Sequence, residues 1–455
     1  FRLQNLMLLI FIAFISGLTV YYLTKRSYVS LSASAAILLF PNNINNICWM
    51  AARVDLICCF FYVATVLLFL IYSDTKKKLF FVLSILTFLI ALFTKELAIT
   101  LPFVILTIGY FRYGKEGLKR SICLLTVLTV LLIFYFIFRV FILGNNITEI
   151  ATLYQPNPLA NAPGVFARAL IALSIPIDFI SLNYQLRNDN KLIILYLLIL
   201  YGAGFYLIWT AVKADIYRII GQLALLFVIL ITPYAIVGYL RPQMILLPFT
   251  IITIYVLYLY SQQKKLSIRL KKNVLKTCFF AALIFWGFWS QQAVCDWLTS
   301  YEKAKTNVEN LIKTPHDVSK KMILIGNPGR FKQTLMFDKM TGAFNFWKNN
   351  NFVIKDTIND IIQTAALQES SIGAKLECRQ ISAIEFEIKT NAPKHFFYIE
   401  GYDNERIKLG FRNNDISVEF TEFNNVNKAI KLNLKILSPN IECFLAEDLG
   451  FRKIY

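Results

Sequence analysis

The chain has 455 residues, of which 57% are hydrophobic, and its mean hydropathy is +0.55. Soluble domains average about half apolar residues or fewer, so this composition excludes an ordinary soluble globular protein. The net charge of +19 invites a nucleic-acid partner, but the residues after 292 carry nearly equal numbers of basic and acidic side chains. The excess positive charge lies in short loops between apolar stretches, a pattern that encodes membrane topology, so no nucleic-acid partner is expected.

Long apolar stretches fill the first 292 residues. A bilayer core about 30 Å thick needs roughly 20 apolar helical residues, and continuous apolar runs indicate helices rather than a barrel. We therefore predict an all-α polytopic membrane domain over residues 1–292, with about 10–11 spans of this length, followed by a globular domain over residues 293–455. The spans are predicted at residues 5–23, 28–41, 51–72, 79–94, 97–112, 120–143, 192–212, 216–238, 243–261 and 275–292.

Loops rich in Lys and Arg alternate with loops rich in Asn and Pro. Basic loops face the cytoplasm in membrane proteins, so the two sets are expected on opposite faces. If the apolar stretch at 164–186 crossed the membrane once, the basic loops before it and after it would lie on opposite faces. We therefore predict that this stretch, which contains Pro176 and Asp178, is a re-entrant or interfacial segment. The basic loops lie at 25–26, 76–78, 112–120, 213–218 and 264–276, and the outer loops at 42–46, 145–163 and 239–243. Asp74, Glu116 and Asp215 lie at the basic loops and are interpreted as topological bystanders.

The same alternation places both Phe1 and the C-terminal domain on the outer face. Phe1 is not an initiation residue, so we expect at least one span before it. Codon usage typical of an AT-rich genome would explain the many Asn, Ile, Lys and Phe residues. This composition predicts an integral protein of the bacterial inner membrane, with a periplasmic or extracellular C-terminal domain.

Apolar and polar residues alternate in several segments after residue 293. Alternation with a period of two predicts half-buried strands, and the segments at 296–312 and 356–368 are predicted to be helical. We expect a small extracytoplasmic α+β or β-sandwich domain with its own core. The alternating apolar residues are Ile384, Phe386, Ile388, Ile416, Val418, Phe420, Ile430, Leu432, Leu434 and Ile436.

The eight cysteines and two histidines show no zinc-binding spacing, so no metal site is predicted from them. Cys378 and Cys443 both lie in strand-like segments, and two interpretations stay open for them. They form a disulfide if the domain is outside the cytoplasm, or they are two buried free thiols. Cys58 and Cys59 lie within a predicted span and are expected to face lipid or a neighbouring helix.

Two charged pairs lie at the predicted outer ends of apolar segments. Arg53 and Asp55 open one span, and Lys95 and Glu96 form a charged break between two others. Charges at membrane depth cost several kcal/mol unless they are paired or hydrated, so these residues are functional candidates. One interpretation is mutual neutralisation that orients the helices. The other is a site in which Arg53 and Lys95 bind a lipid phosphate, while Glu96 or Asp55 acts as an acid or base or contacts the acceptor.

Arg168 and Arg241 are two further cations near the predicted outer face. Both are candidates for the same lipid phosphate. Arg241 precedes Pro242 at the start of a span, where snorkelling of the side chain to the interface also explains it.

Several short motifs carry a resemblance to a known family. They lie mostly within residues 1–260 and occur in order: Phe40-Pro41, WMAARVDL at 49–56, TKELAITLP at 94–102, NPLANAP at 157–163 and SLNY at 181–184. Together they resemble the GT-C membrane glycosyltransferases. The most similar branch is that of the transmembrane O-mannosyltransferases with TPR tails, which use dolichyl-phosphate mannose, and their bacterial relatives.

The resemblance implies a hexosyltransferase that moves a sugar from a polyprenyl-phosphate donor to a protein or glycan acceptor on the outer face. In that family the principal catalytic carboxylate lies in the first outer loop, so we expect that residue before Phe1. No cofactor is required. A divalent metal such as Mg²⁺ or Mn²⁺ is optional, because Arg and Lys can neutralise phosphate alone.

Two features depart from the family pattern. Relatives carry an Arg-Tyr pair before a late span that ends in Leu-Pro, whereas this chain has Gln243-Met244 there, with Arg241 two residues earlier. The strand-rich C-terminal domain also takes the place of the TPR tail. Both departures leave the donor and the acceptor open.

Two other functions remain open at this stage. A non-catalytic GT-C-like subunit would keep the membrane scaffold and bind a protein partner through residues 293–455. A transporter of lipid-linked sugars is less favoured, because the charged residues lie at the outer boundary rather than at mid-membrane and no inverted repeat is visible.

Overall fold

A computed structural model describes most of the N-terminal helices and parts of the C-terminal region. The described residues are 2–143, 158–174, 216–238, 240–262, 269–315, 320–325, 328–331, 334–335, 361–364, 366–369, 376–390, 396–398, 410–412, 415–423, 429–447 and 450–455. The chain divides into two compact units. The helical unit comprises Phe1–Pro176 and Leu197–Ala293, and the strand-rich unit comprises Ile177–Tyr196 and Val294–Tyr455.

Helices form all regular structure in the described part of the helical unit. The α-helices are α1 (Arg2–Thr24), α2 (Ser27–Leu39), α3 (Asn43–Cys48), α4 (Arg53–Thr75), α5 (Lys78–Thr94), α6 (Leu101–Leu143), α7 (Pro158–Ser174), α8 (Ile216–Val237), α9 (Leu246–Gln262) and α10 (Arg269–Lys313). Short 3₁₀ turns at Met50–Ala52, Glu96–Thr100 and Pro242–Ile245 lead into α4, α6 and α9. Helix α10 continues past Ala293 into the strand-rich unit.

Six helical segments of the described residues are long and apolar enough to cross a membrane. They are Arg2–Thr24, Arg53–Thr75, Glu96–Glu116, Ile122–Arg139, Arg218–Val237 and Gln243–Gln262. Helices α2 and α5 have 13 and 17 residues, which at 1.5 Å per residue is about 20 Å and about 26 Å. The helical membrane character is therefore confirmed for six segments. The larger total stays a prediction, since the predicted span at 192–212 lies outside the described residues.

Large apolar side chains are exposed along these helices. Leu31 is 70% exposed, Leu79 63%, Phe93 64% and Phe134 68%. Soluble monomers rarely expose contiguous apolar surface of this kind. The exposed side chains are therefore suited to contact with lipid acyl chains.

The hairpin turns after α1 and α4 are built in the same way. Lys25 and Lys76 have φ angles of 56° and 60°, and each donates its backbone N–H to a carbonyl four residues earlier, at 2.7 and 2.8 Å. A left-handed residue commonly ends a helix, and a cation suits the negative end of the helix dipole. Both turns therefore place Lys and Arg at the same ends of their helices.

Small residues let α1 and α2 approach closely. The Ser30 Oγ donates to the Gly17 carbonyl at 2.8 Å, and the Ser34 Oγ donates to the Ala13 carbonyl at 2.9 Å. A Cβ atom added at Gly17 would lie 2.4 Å from the Ser34 Oγ. Small side chains and interhelical hydrogen bonds are the usual means of helix association in lipid.

Helix α6 reverses direction at Gly114, whose φ of 62° and ψ of −143° are not helical. The arm after Gly114 returns to the level where the first arm began, because Arg139 forms an ion pair with Glu96 and the Tyr135 ring lies 5.6 Å from that of Phe93. The separate spans predicted at 97–112 and 120–143 match these arms. The predicted basic loop at 112–120 is instead helical on both sides of Gly114.

Helix α9 lies at the centre of the helical unit. It contacts α1, α2, α4 and α8, and most of its side chains are buried. The Phe249 ring stacks on that of Phe40 at 3.7 Å between centroids, and Trp286 packs edge-on against both. Trp286, in the predicted span at 275–292, therefore contacts other aromatic rings within the unit.

The strand-rich unit contains two sheets. The described strands are β1 (Lys321–Ile325), β2 (Pro328–Phe331), β3 (Thr334–Leu335), β4 (Ile361–Thr364), β5 (Ala366–Glu369), β6 (Leu376–Ser382), β7 (Glu385–Thr390), β8 (Phe396–Tyr398), β9 (Gly410–Arg412), β10 (Ile416–Phe423), β11 (Ala429–Ile436), β12 (Ile441–Glu447) and β13 (Gly450–Lys453). The first sheet has the order β13-β12-β1-β4, with β1 parallel to β12 and β4. The second has the order β3-β2-β5-β8-β11-β10-β9, and β7 joins β6 to β11.

The predicted alternation is confirmed in β7, β10 and β11. Phe386 and Ile388 are buried in β7. Buried in β10 and β11 are Ile416, Val418, Phe420, Leu432, Leu434 and Ile436, whereas Ile430 is half-buried. The two strands pair in register from Ile416 with Ile436 to Phe420 with Leu432. The buried residues form one core with Ile323 and Cys443. Ile384 differs, because it lies in the turn between β6 and β7 and is 40% exposed.

The helix predicted at 356–368 is wrong where the structure describes this segment. Strands β4 and β5 lie at Ile361–Thr364 and Ala366–Glu369, and Ile362 of β4 pairs with Ile323 of β1. Residues 356–360 lie outside the described residues. Pairing with strands distant in sequence decided the structure here, which local periodicity cannot reveal. The helix predicted at 296–312 is confirmed within α10.

The segment predicted at 164–186 is only partly described. Residues up to Ser174 are helical in α7. Pro176 and Asp178 lie outside the described residues, so the re-entrant path stays a prediction.

Cys378 and Cys443 are free thiols in the structure. Cys443 is fully buried in β12, and burial raises the pKa of its thiol to about 12. Burial also raises the pKa of the Cys378 thiol. Of the two interpretations left open by the sequence, the free-thiol form is the one present.

Candidate functional site

The site is built on a loop that Asn5 fastens to the start of α1. The fully buried Asn5 amide donates to the carbonyl oxygens of Asn46 at 3.0 Å, Ile47 at 3.4 Å and Trp49 at 3.3 Å. A buried amide that caps several carbonyls holds its loop firmly, because breaking these bonds would leave polar groups unpaired. The chain therefore enters α4 from a fixed position.

Arg53 begins α4 and is tied to the same asparagine. Its Nε donates to the Asn5 Oδ1 at 3.3 Å, and its side chain is half-buried. One of the two interpretations of the sequence makes Arg53 a phosphate ligand. The structure adds an orienting contact that the sequence did not indicate.

Arg241 lies over the ring of Trp49. Its guanidinium carbon is 5.0 Å from the ring centroid, a cation–π geometry that contributes about 0.5–2 kcal/mol. The following turn is held by Tyr234, whose hydroxyl donates to the Met244 carbonyl at 2.7 Å. Trp49 thus joins Arg241 to the loop that Asn5 holds, so Arg53 and Arg241 belong to one end of the unit.

Asp55 and Lys95 form a direct ion pair at this end. Asp55 lies in the first turn of α4, where the helix dipole favours a carboxylate, and Lys95 lies at the break between α5 and α6. Their side chains are 10% and 18% exposed. Removing one partner of such a buried pair costs about 3–5 kcal/mol, because the other charge is left uncompensated.

Glu96 pairs with Arg139, a residue that the sequence analysis did not single out. Arg139 is 18% exposed and also donates to the Tyr135 hydroxyl at 3.1 Å. The available signal was a lone arginine in a strongly apolar run, which at membrane depth is a functional candidate. Glu96 is 51% exposed and is the more accessible of the two carboxylates.

Polar side chains lie directly beneath the Asp55–Lys95 pair. The Cys58 Sγ is 4.0 Å from the Lys95 carbonyl, and the Tyr62 hydroxyl is 2.9 Å from the Thr100 Oγ1. Cys58, Cys59 and Tyr62 are buried, so both cysteines face other helices rather than lipid. These contacts fasten α4 to the charged break before α6.

Arg168 is exposed on α7. Its helix is anchored to the site loop by Asn42, whose amide donates to the Ala172 carbonyl at 3.0 Å. Among the described residues, the structure gives no contact between Arg168 and either ion pair. Five of the six predicted site residues are thus linked directly or through Trp49 and Asn5, and Arg168 stands apart from them. We call residues 42–55, 95–96, 139 and 241 the ion-pair end.

The other end of the helical unit is organised around Asp74. Its Oδ2 accepts from the Tyr22 hydroxyl at 2.8 Å and from Arg112 at 3.1 Å, and its Oδ1 accepts from the Tyr113 hydroxyl at 2.7 Å. We call residues 22–28, 74–78 and 112–119 the basic end. Asp74 was interpreted from the sequence as a topological bystander, and that is wrong, because it joins α1, α4 and α6.

The two ends are separated by about the thickness of a bilayer core. Asp55 and Asp74 lie 19 positions apart on α4, which at 1.5 Å per residue is about 28 Å. The hydrocarbon core of a bilayer is about 30 Å thick. The basic turns and the ion pairs therefore lie at opposite boundaries of one membrane-sized layer.

The carboxylates of the ion-pair end do not suit a divalent metal. Mg²⁺ at a phosphate site is usually held by one or two carboxylates that are free to bind it, whereas Asp55 and Glu96 each hold a cationic side chain instead. Across the described part of the chain, no three His, Cys, Asp or Glu side chains lie close enough to bind a metal ion. The cations at this end are Lys95, Arg53, Arg139 and Arg241.

This arrangement can bind an anion. Cationic side chains fixed by neighbouring groups at a membrane boundary can bind phosphate through charge-assisted hydrogen bonds, and a carboxylate beside them can accept a proton. Glu96 is exposed enough to reach a ligand, while Asp55 mainly orients Lys95. In comparisons with known proteins, no family model, no characterised protein and no solved structure matches this chain.

Proposed function

We propose that the chain is a membrane glycosyltransferase that uses a polyprenyl-phosphate sugar as donor, with its site at the ion-pair end. The observation that carries the proposal is the clustering of fixed cations and two carboxylates at one membrane boundary. Lys95 pairs with Asp55 and Arg139 pairs with Glu96. The resemblance in residues 49–56 and 94–102 falls on this same end, which supports the choice of donor.

The donor phosphate would lie at the boundary, with its isoprenoid chain in the bilayer. Lys95, Arg53 and Arg241 bind the phosphate oxygens in the proposal, and Arg139 holds Glu96 in place. Arg168 is the sixth proposed site residue, on α7. Fixed cations stabilise the negative charge that develops on the leaving phosphate without reorganising during the reaction.

The proposed reaction is a displacement at the anomeric carbon. The acceptor hydroxyl forms the new C–O bond, and the bond between the anomeric carbon and the phosphate oxygen breaks with its electron pair on the phosphate. The hydroxyl proton passes to a carboxylate and then to water or the phosphate. Glu96 is the described carboxylate best placed for this role.

The ion-pair end and the strand-rich unit are proposed to face outward, with the basic end in the cytoplasm, as the distribution of basic loops indicates. In a bacterium this places the strand-rich unit in the periplasm or at the cell surface. There it would contact a protein or glycan acceptor.

One observation favours a second function, a non-catalytic subunit. Both described carboxylates of the site are neutralised by cations within the chain, as expected if they only orient helices. In that case the strand-rich unit binds a partner protein and the ion-pair end binds no donor. The two functions differ in whether a polyprenyl-phosphate sugar is bound at all.

The test is donor binding by the full chain in lipid nanodiscs. Labelled polyprenyl-phosphate mannose and polyprenyl-phosphate glucose are titrated into the wild type and into a variant with Asp55→Asn and Lys95→Gln together. The double change removes both charges of the pair, so no lone charge is left buried. We expect saturable binding by the wild type and at least tenfold weaker binding by the variant.

The matched control is Glu385→Gln with Lys435→Gln, an exposed ion pair of the strand-rich unit. It also removes both charges of one pair and is expected to leave donor binding unchanged. A folded wild type that binds neither donor would favour the non-catalytic subunit. Equal binding by the wild type and the double variant would place the donor elsewhere.

A further inference from the structure

The basic end brings the turns of two hairpins together. Tyr22, three residues before Lys25, donates to Asp74, two residues before Lys76, at 2.8 Å. Arg112 reaches the same carboxylate and lies 5.7 Å from the Tyr22 ring. The turn at 25–26 and the turn at 76–78 are therefore neighbours in the helical unit.

Asp74 does not neutralise the cations around it. Both of its oxygens already accept hydrogen bonds from Tyr22, Arg112 and Tyr113. Glu116, the other described carboxylate at this end, faces Lys119 at 3.9 Å. The exposed cations of the two neighbouring turns are Lys25, Arg26, Lys76, Lys77 and Lys78.

Tyrosine rings fix two of these lysines near their turns. The Lys25 Nζ lies 4.4 Å from the Tyr22 ring centroid, and the Lys76 Nζ lies 5.5 Å from that of Tyr72. The left-handed conformations of Lys25 and Lys76 also set where the following residues point. The conformations of the two turns therefore define the backbone positions of these cations.

Apolar side chains exposed next to the turns place these cations at headgroup depth. Leu79 follows Lys78 directly and is 63% exposed, and Leu31, in the first half of α2, is 70% exposed. Exposed leucines directly beyond a row of lysines define the border between acyl chains and headgroups. A ligand for these cations therefore comes from the membrane surface.

We propose that the turns at 25–26 and 76–78 together bind the phosphate headgroup of an anionic phospholipid. Five exposed cations on two adjacent turns complement a phosphodiester that carries a net negative charge. A zwitterionic headgroup binds more weakly, since its own ammonium repels the lysines. The site fixes the cytoplasmic boundary of the helical unit, and it does not depend on the glycosyltransferase proposal.

The test is lipid binding to the purified, delipidated full chain by native mass spectrometry. Phosphatidylglycerol and phosphatidylcholine are titrated into the wild type and into a triple variant, Arg26→Gln, Lys77→Gln and Lys78→Gln. Lys25 and Lys76 are left unchanged so that both turns keep their conformation. Each lost cation weakens binding of an anionic lipid about fivefold, so the triple variant is expected to lose about a hundredfold.

The matched control carries three equivalent changes in the strand-rich unit, Lys305→Gln, Lys313→Gln and Lys435→Gln. It removes the same charge from exposed positions and is expected to bind phosphatidylglycerol like the wild type. Equal binding of phosphatidylcholine and phosphatidylglycerol by the wild type would overturn the proposal. Loss of binding in both triple variants alike would also overturn it, since net charge rather than these turns would then be responsible.

Discussion

The two ends of the helical unit use charge in opposite ways. At the ion-pair end, Lys95 and Arg139 each hold a carboxylate and both are less than one-fifth exposed. At the basic end, one carboxylate, Asp74, gathers three donors while the lysines of the turns stay exposed. The same residue types therefore form mostly buried ion pairs at one boundary. At the other boundary the cations are exposed and outnumber the carboxylates.

This difference separates two roles of membrane-boundary charge. Exposed cations interact with solvent and headgroups and contribute little to folding stability. Sheltered pairs cost much to break and are kept where geometry matters. Substitutions at the ion-pair end should therefore destabilise the helical unit more than substitutions of exposed cations at the basic end.

The largest effect is expected for Lys95→Ala. It leaves the Asp55 carboxylate buried without its partner, so the free energy of unfolding should fall by about 3–5 kcal/mol. Lys77→Ala at the basic end should change it by less than about 0.5 kcal/mol. Chemical unfolding in detergent micelles measures both. Similar losses in the free energy of unfolding for the two variants would contradict the proposed difference between the ion-pair end and the basic end.

Gly114→Ala should give the next largest effect. The φ of 62° and ψ of −143° at this position favour glycine alone, and a side chain there costs about 1–3 kcal/mol. Gly221→Ala, in the second turn of α8 with open space around an added Cβ atom, should be neutral or slightly stabilising. The readout is the thermal midpoint in detergent. An unchanged midpoint for Gly114→Ala would mean that the reversal between the arms of α6 does not need this backbone conformation.

Asp74→Asn should destabilise the basic end moderately. The amide keeps the shape of the side chain but removes the negative charge and one of the two oxygens that accept from Arg112, Tyr22 and Tyr113. Because the site is partly exposed, the free energy of unfolding should fall by about 1–2 kcal/mol. Glu116→Gln, whose partner lies 3.9 Å away on the surface, serves as the control with little change expected. If Asp74→Asn proved as mild as the control, the bystander interpretation would be restored.

The smallest effect is expected for a partly exposed ion pair of the strand-rich unit. A hydrogen bond from Lys431, 2.8 Å away, lowers the pKa of Glu387 below its usual value. The pair therefore contributes stability above the ordinary glutamate pKa of about 4.3 and loses it as the pH falls through the lower, folded value. Lys431→Gln should be slightly less stable than the wild type at pH 7 and equal to it at pH 2. A difference in stability between Lys431→Gln and the wild type that grows as the pH falls would contradict this prediction.

The sequence predicted where the helices begin and end, but it did not predict which side chains form ion pairs with one another. The apolar runs and lysine-rich turns predicted α1, α4, α6 and α8 within a few residues, since a helix in lipid must satisfy its own backbone. They could not show that Lys95 pairs with Asp55, 40 positions away, or that Glu96 pairs with Arg139. Pair identity depends on how helices pack, which no local pattern encodes.

The strand-rich unit shows the same limit. Alternation located β7, β10 and β11, because each has one buried and one exposed face. It missed β4, a short strand whose identity depends on β1, about 40 positions earlier in the chain. Asp74 was misjudged for the same reason, since its three donors lie on α1 and α6.

The most direct test of the account is the sidedness of the two ends. Single cysteines replace Ala51 at the ion-pair end, Lys77 at the basic end or Asn440 in the strand-rich unit, all exposed, in a full chain whose eight native cysteines are changed to alanine. A membrane-impermeant maleimide should label positions 51 and 440 in intact cells and position 77 only after permeabilisation. Labelling of 51 and 440 on different sides, or of 77 in intact cells, would contradict the account.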